Sequence, residues 1–168
     1  MLDRKILEEL QEYVERNLVY ILYEKSVGRI EEQDFVLESI SPLEIETFIA
    51  QKRKPTLQKV LFNFIDKKGA ASDAEIYKKA GIDRRHFSKI RSNPEYRPSK
   101  NTVIALALAL ELNKKETDKL LSSAGYSLSD SETFDLVIQF CIERKIYEIE
   151  QVNYALDYFS QKPLGGVL

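Results

Sequence analysis

Residues 72–93 read SDAEIYKKAGIDRRHFSKIRSN, and two structural signals lie inside this stretch. Ser72 stands three residues before Glu75, the spacing of a capping box, and a short helix opened there has its stop at Gly81. Asp83 then opens a second short helix in which only Phe87 and Ile90 form an apolar i, i+3 pair. Its other side chains are predominantly basic: Arg84, Arg85, Lys89 and Arg91, with His86 among them. Two short helices joined across a glycine-containing turn, the second with a polar outer face, is the helix-turn-helix arrangement. The geometry has a reason. An α-helix fits the major groove of B-DNA, and a second helix has to brace it from behind across a turn free of a bulky side chain. Ile76, Ala80, Ile82, Phe87 and Ile90 are the expected bracing residues, and Gly81 the turn.

Working outward, the same stretch sits in the one basic part of a near-neutral chain. The 168 residues carry 25 Lys+Arg against 27 Asp+Glu, a net charge of -2. Residues 1–50 hold 5 basic and 12 acidic side chains (-7), residues 51–100 hold 14 and 5 (+9), and residues 101–168 hold 6 and 10 (-4). The whole chain therefore lacks the global field of many nucleic-acid binders, while its middle third has a local one.

Apolar periodicity predicts an all-α protein without period-two strands. Before the basic stretch, Ile6, Leu7, Leu10, Val14, Leu18, Ile21 and Leu22 mark an acidic amphipathic helix from Leu2 to about Tyr23. Residues 28–41 allow a short helix with Phe35, Val36 and Leu37 inward. SPLE at 41–44 predicts a further helix start, with Ser41 as cap, Pro42 at the first position and Glu44 returning a bond to the cap. QKRKP at 51–55 marks a boundary. TLQKVLFNFIDKKG (56–69) then gives a helix with Leu57, Val60, Leu61, Phe64 and Ile65 on one face and Gly69 as stop.

After the basic helix, NPEYRPS (93–99) reads as a loop, and KNTVIALALALEL (100–112) as a central helix packed on several sides. Asn113 to Gly125 frame another helix with Leu120, Leu121 and Ala124 inward. Two more complete the chain: one opened by a Ser129 to Glu132 box and running through FDLVIQFCIERK, and one over IEQVNYALDYFS. The tail KPLGGVL is expected to be loose.

On these residues, the stretch from about Thr56 to Tyr126 resembles the lambda-repressor-like, five-helix DNA-binding domains of the XRE family. The matching features are Ser72 and Ile76 in the second helix, Gly81 and Ile82 in the turn, FSKI at 87–90, the proline-containing loop at Pro98, and VIALALALEL. Tyr77 stands where the family usually has alanine, and Asp73 where it often has a glutamine that buttresses the reading helix. Residues 60–168 are also similar to a helix-turn-helix module appended to macro-domain and other signalling or defence-associated bacterial proteins.

The resemblance implies a division into an acidic helical region (1–52) for dimerisation or partner binding, a helix-turn-helix domain (53–126) and a C-terminal helical pair packed on it (127–168). Arg84, Arg85, Ser88 and Lys89 would face base edges, with arginine suited to the paired acceptors of guanine. Ser72, Arg91, Asn93, Arg97 and Lys100 would approach phosphates, which position the protein rather than specify sequence. The expectation is a non-enzymatic, cytoplasmic bacterial transcription regulator. It would bind double-stranded DNA as a homodimer, need no cofactor or metal, and leave residues 1–52 for a possible protein partner. The alternative is a protein-interaction adaptor that keeps the helix-turn-helix shape and meets an acidic protein surface in a signalling or defence operon. Asp73, Tyr77 and a pI near 5.6 favour it.

Other chemistries find little support. His86 is the only histidine, so no histidine pair exists for zinc. Cys141, flanked by Phe140 and Ile142, reads as a small core residue, and no second cysteine exists for an internal disulfide. Glycine loops of the phosphate-cradling kind are missing, and no apolar run approaches the roughly 20 residues of a membrane span. Tyr13, Tyr20 and Tyr23 read equally as core or as a dimer surface.

Overall fold

The computed structural model describes residues 40–165 together with Glu8 and Tyr13, both helical and exposed. The acidic helix expected from Leu2 to Tyr23 and the short helix expected within 28–41 otherwise lie outside the described residues. Every described element is an α-helix. The chain divides into two compact units, Met1–Arg53 and Lys54–Leu168.

The first unit contributes α1, Pro42–Lys52. Proline's fixed φ starts it as expected. Ser41 makes no side-chain capping bond, however, so the SPLE capping box does not form. None of its residues is buried, and Leu43, Ile45, Phe48 and Ile49 are exposed.

The second unit holds seven helices: α2 (Leu57–Lys68), α3 (Asp73–Ala80), α4 (Arg84–Ser92), α5 (Lys100–Ala109), α6 (Lys114–Ser123), α7 (Thr133–Glu143) and α8 (Ile149–Tyr158). Their boundaries follow local chemistry. Thr56, Ser72, Ser99 and Asn113 each accept a backbone N–H three residues on. At Asn113 the box is complete, because the Glu116 carboxylate accepts the Asn113 N–H at 3.1 Å. In α3 the return bond goes one residue further back, from the Ala71 N–H to Glu75 at 3.1 Å. Gly81 ends α3 with φ +67°, a left-handed conformation that costs a residue with a Cβ roughly 1–2 kcal/mol.

Helix α5 is the centre. Val103 through Ala109 are all buried, and α5 packs against α3, α6 and α8. Its small Ala residues let three neighbours approach, while Ile104, Leu106 and Leu108 fill the space between them. Around it α2 packs on α6, α6 on α7, and α7 on α8, whereas α4 packs principally on α3.

Two expectations are corrected here. Helix α7 begins at Thr133, and the Ser129 to Glu132 box is not formed; Ser129 instead closes a short turn, its Oγ accepting the Ser131 N–H at 3.2 Å. The reason lies in Asp135, 1% exposed, whose carboxylate accepts the Ser129 N–H at 2.8 Å and pairs with the Lys100 ammonium at 2.7 Å. A buried carboxylate has to be partnered, and satisfying Asp135 fixes the preceding turn. The tail is not loose as far as Gly165 either. Leu164 is 3% exposed, and both its N–H and its C=O are bonded to the Asn153 side chain, at 2.7 and 3.0 Å.

Candidate nucleic-acid interface

Helix α4 is set by few groups. The Asp83 carboxylate caps it, accepting the Arg85 N–H at 2.9 Å, and only Phe87 and Ile90 are buried. Phe87 sits against the edge of Phe62 from α2 (ring centroids 6.3 Å apart) and against Tyr77 from α3 (5.7 Å). Tyr77, in place of the small residue that the resemblance leads one to expect, thus helps wall the Phe87 socket. With Phe87 and Ile90 turned in, Arg84, Arg85, Ser88 and Lys89 share the exposed face, at positions i, i+1, i+4 and i+5. Arg84 and Arg85 form no side-chain hydrogen bond or ion pair with a described residue, so their guanidinium donors are open to an external acceptor.

The loop after α4 shapes the rest of this face. Tyr96 stands half-buried with its hydroxyl 2.9 Å from His86 Nε2, and the Lys89 ammonium lies 4.5 Å from the centre of its ring. From sequence, His86 reads as a phosphate donor or a surface residue, and its pairing with Tyr96 is signalled only by a tyrosine between two prolines in a basic stretch. The phenol turns one side chain of the outer face, Lys89, back over an aromatic surface, a cation–π arrangement that restricts its rotamers.

The five residues expected at phosphates divide. Ser72 and Asn93 are exposed at the start of α3 and the end of α4. Both already serve the backbone: Ser72 Oγ accepts the Glu75 N–H at 3.3 Å, and Asn93 Oδ1 accepts the Glu95 N–H at 3.0 Å. Arg91 is exposed, pairs with the Asp73 carboxylate and lies over the Phe62 ring at 5.2 Å, while its C=O accepts from the Gln58 amide. Asp73 is thereby occupied by a neighbouring cation rather than presented alone. Arg97 and Lys100 are engaged by other elements, although Arg97 stays exposed and Lys100 half-buried. Arg97 donates from Nε to the Ala124 C=O at 2.6 Å, lies 4.4 Å from the Tyr126 ring centre, and runs so close to Gly125 that a Cβ there would come within 3.1 Å of Nη2. It binds the carboxyl end of α6, where carbonyls lack helical partners. Lys100 is held by Asp135. Both tie the loop and α5 to later helices, so neither cation is presented in the way that Arg84 and Arg85 are.

Among the described residues no group of His, Cys, Asp and Glu is arranged to hold a metal, and no helix is long and apolar enough to cross a membrane. Among the described residues, two ionisable groups are shifted. The Glu75 carboxyl lies below its ordinary value because the Ala71 N–H and then Lys79 favour its anion. Burial raises the Cys141 thiol, which keeps it protonated and unreactive in the core. Both lie apart from the exposed face of α4, where Arg84 and Arg85 have no described side-chain partner. Comparison of the chain with protein-family models, curated proteins and solved structures finds no match.

Proposed function

We propose that the chain is a DNA-binding regulator of the lambda-repressor-like type, with α3 and α4 as its helix-turn-helix and α4 lying in the major groove. The observation that carries this reading is the outer face of α4: Arg84, Arg85, Ser88 and Lys89 exposed together, with neither arginine neutralised by a described side chain. Fork-shaped donors on a helix narrow enough for the groove suit the O6 and N7 acceptors of guanine. Arg91, Ser72 and Asn93 flank that face as phosphate contacts. Two copies would read half-sites about one helical turn apart.

The test is fluorescence anisotropy on labelled duplexes across a salt series, with the wild type and with Arg84→Ala/Arg85→Ala. For readers of base edges, the double variant loses about 1–3 kcal/mol per lost contact and with it the preference between selected and random duplexes. Lost affinity at unchanged preference, with a shallower salt slope, reassigns the two arginines to phosphates. Equal binding by wild type and variant removes α4 as the interface. A protein-interaction adaptor is the second reading, favoured by α1, whose Leu43, Ile45, Phe48 and Ile49 are all exposed. Wild type that binds no duplex at low salt would select it.

A further inference from the structure

The turn between α3 and α4 is approached by another part of the same unit. Gly81 has φ +67°, and a Cβ added to it would meet the Cα of Gly165 at 3.9 Å. Gly165 itself has φ +87°, and a Cβ there would stand 4.0 Å from the carbonyl oxygens of both Ala80 and Gly81. The two glycine backbones, one in the turn and one in the segment that follows α8, thus lie close enough that a side-chain Cβ on either would fill the space between them. This segment is fixed immediately before the contact. Asn153, on α8, uses its amide as a two-point clamp, donating Nδ2–H to the Leu164 C=O at 3.0 Å and accepting the Leu164 N–H at 2.7 Å. The Leu164 side chain is buried in the common core. Helix α8 in turn packs on α5 and α7.

We infer that residues 161–165 form a strap that sets the α3–α4 turn, with Asn153 as its clamp and Leu164 and Gly165 as positioning residues for α4. The physical need is visible in α4 itself. A helix with two buried side chains, packing principally on α3, has its direction governed by the turn that precedes it. The turn's own amides are bonded only locally, Gly81 N–H to Lys78 C=O at 3.1 Å and Ile82 N–H to Tyr77 C=O at 2.8 Å. The strap adds a long-range restraint, and the paired amide bonds define its register, since an amide that both donates and accepts fits a peptide group in one orientation. This assignment of a role in reading DNA rests on the proposed function; the restraint on the turn does not.

The experiment has two independent arms on the full chain, comparing wild type with Asn153→Ala and Leu164→Ala. In hydrogen exchange, the Gly81 and Ile82 amides are expected to exchange about tenfold faster in Asn153→Ala while those of α5 and α6 keep their wild-type rates. Unchanged turn amides, or equal acceleration throughout the unit, would overturn the strap. In anisotropy, Asn153→Ala is expected to bind a duplex selected by the wild type about tenfold more weakly at unchanged salt slope, since no cation is lost. Wild-type affinity in that variant would overturn the positioning role. A wild type that binds no duplex defeats the DNA reading alone, and exchange still decides the strap. If Leu164→Ala is too unstable to use, Asn153→Asp sets a carboxylate oxygen against the Leu164 C=O in place of the Nδ2 donor and should speed exchange at the turn at least as much as Asn153→Ala.

Discussion

Helix α5 buries seven consecutive residues, Val103 to Ala109, whereas α4, one residue shorter, buries only Phe87 and Ile90. The first is surrounded by α3, α6 and α8; the second leans on α3 and is held at its far end by the Tyr96 loop and the Asp73–Arg91 pair. Under the proposed function, stability and recognition are thus divided between neighbouring helices. Arg97 and Lys100 are instead engaged within the fold, exposed Arg97 through Nε at the Ala124 C=O and half-buried Lys100 at the Asp135 carboxylate. Mutations in the two helices should therefore separate folding from binding.

The largest effect is expected in α5. Leu106 is fully buried, and Leu106→Ala should cost about 2–5 kcal/mol in urea unfolding, through lost burial and the cavity left behind. Cys141 reports the same change without denaturant. Its thiol is buried and its pKa raised, so thiolate is scarce in the native protein near neutral pH, and modification by a disulfide reagent proceeds through opening of the structure. Modification should quicken in Leu106→Ala and also as pH rises toward the ordinary thiol range, since opening removes the burial that raises the native value. A rate that ignores Leu106→Ala would mean that the α7 environment opens independently of α5.

A smaller effect of opposite sign belongs to Thr117, near the start of α6. It is 0% exposed, and its hydroxyl has no hydrogen-bond partner among the described residues. Thr117→Val keeps the branched shape and removes the unsatisfied group, so it should raise stability by up to about 1 kcal/mol. A loss would show that the hydroxyl is satisfied in solution.

Much of the second unit was legible because its determinants are local. Ser72, Asn113, Gly69, Gly81 and Gly125 act within one turn of where they stand, and Phe87 and Ile90 declare the inner face of α4 by spacing alone. What the sequence hid acts at a distance. Asp135 lies 35 residues from Lys100, and satisfying it displaced the start of α7 from the Ser129 box to Thr133. Arg97 reaches 27 residues on to Ala124, so a cation in a basic loop turned out to be a tie between elements. Asp73, which departs from the glutamine usual in the family it resembles, is paired with Arg91, 18 residues later. The strap at Leu164 needed the Asn153 amide to face it, which helical periodicity cannot reveal. For the outward face of α4, sequence supplied the residues, and only the coordinates could tell the open cations from the committed ones.

The smallest stability effect sharpens the comparison most. Arg84 and Arg85 are exposed, bear no described ion partner and lie opposite the Phe87 and Ile90 anchors, so Arg84→Ala/Arg85→Ala should change unfolding free energy by no more than about 0.5 kcal/mol. Alanine is the better helix former, and two like charges one residue apart at the amino end of a helix are unfavourable with its dipole. Both terms favour the variant, so the sign of any change should be toward greater stability, and more so at low salt. A destabilisation beyond that range would show that these side chains hold α4 in place. If stability is instead kept or raised while duplex binding falls, retaining two arginines at that helix start has no folding rationale, and its reason lies in what the face binds.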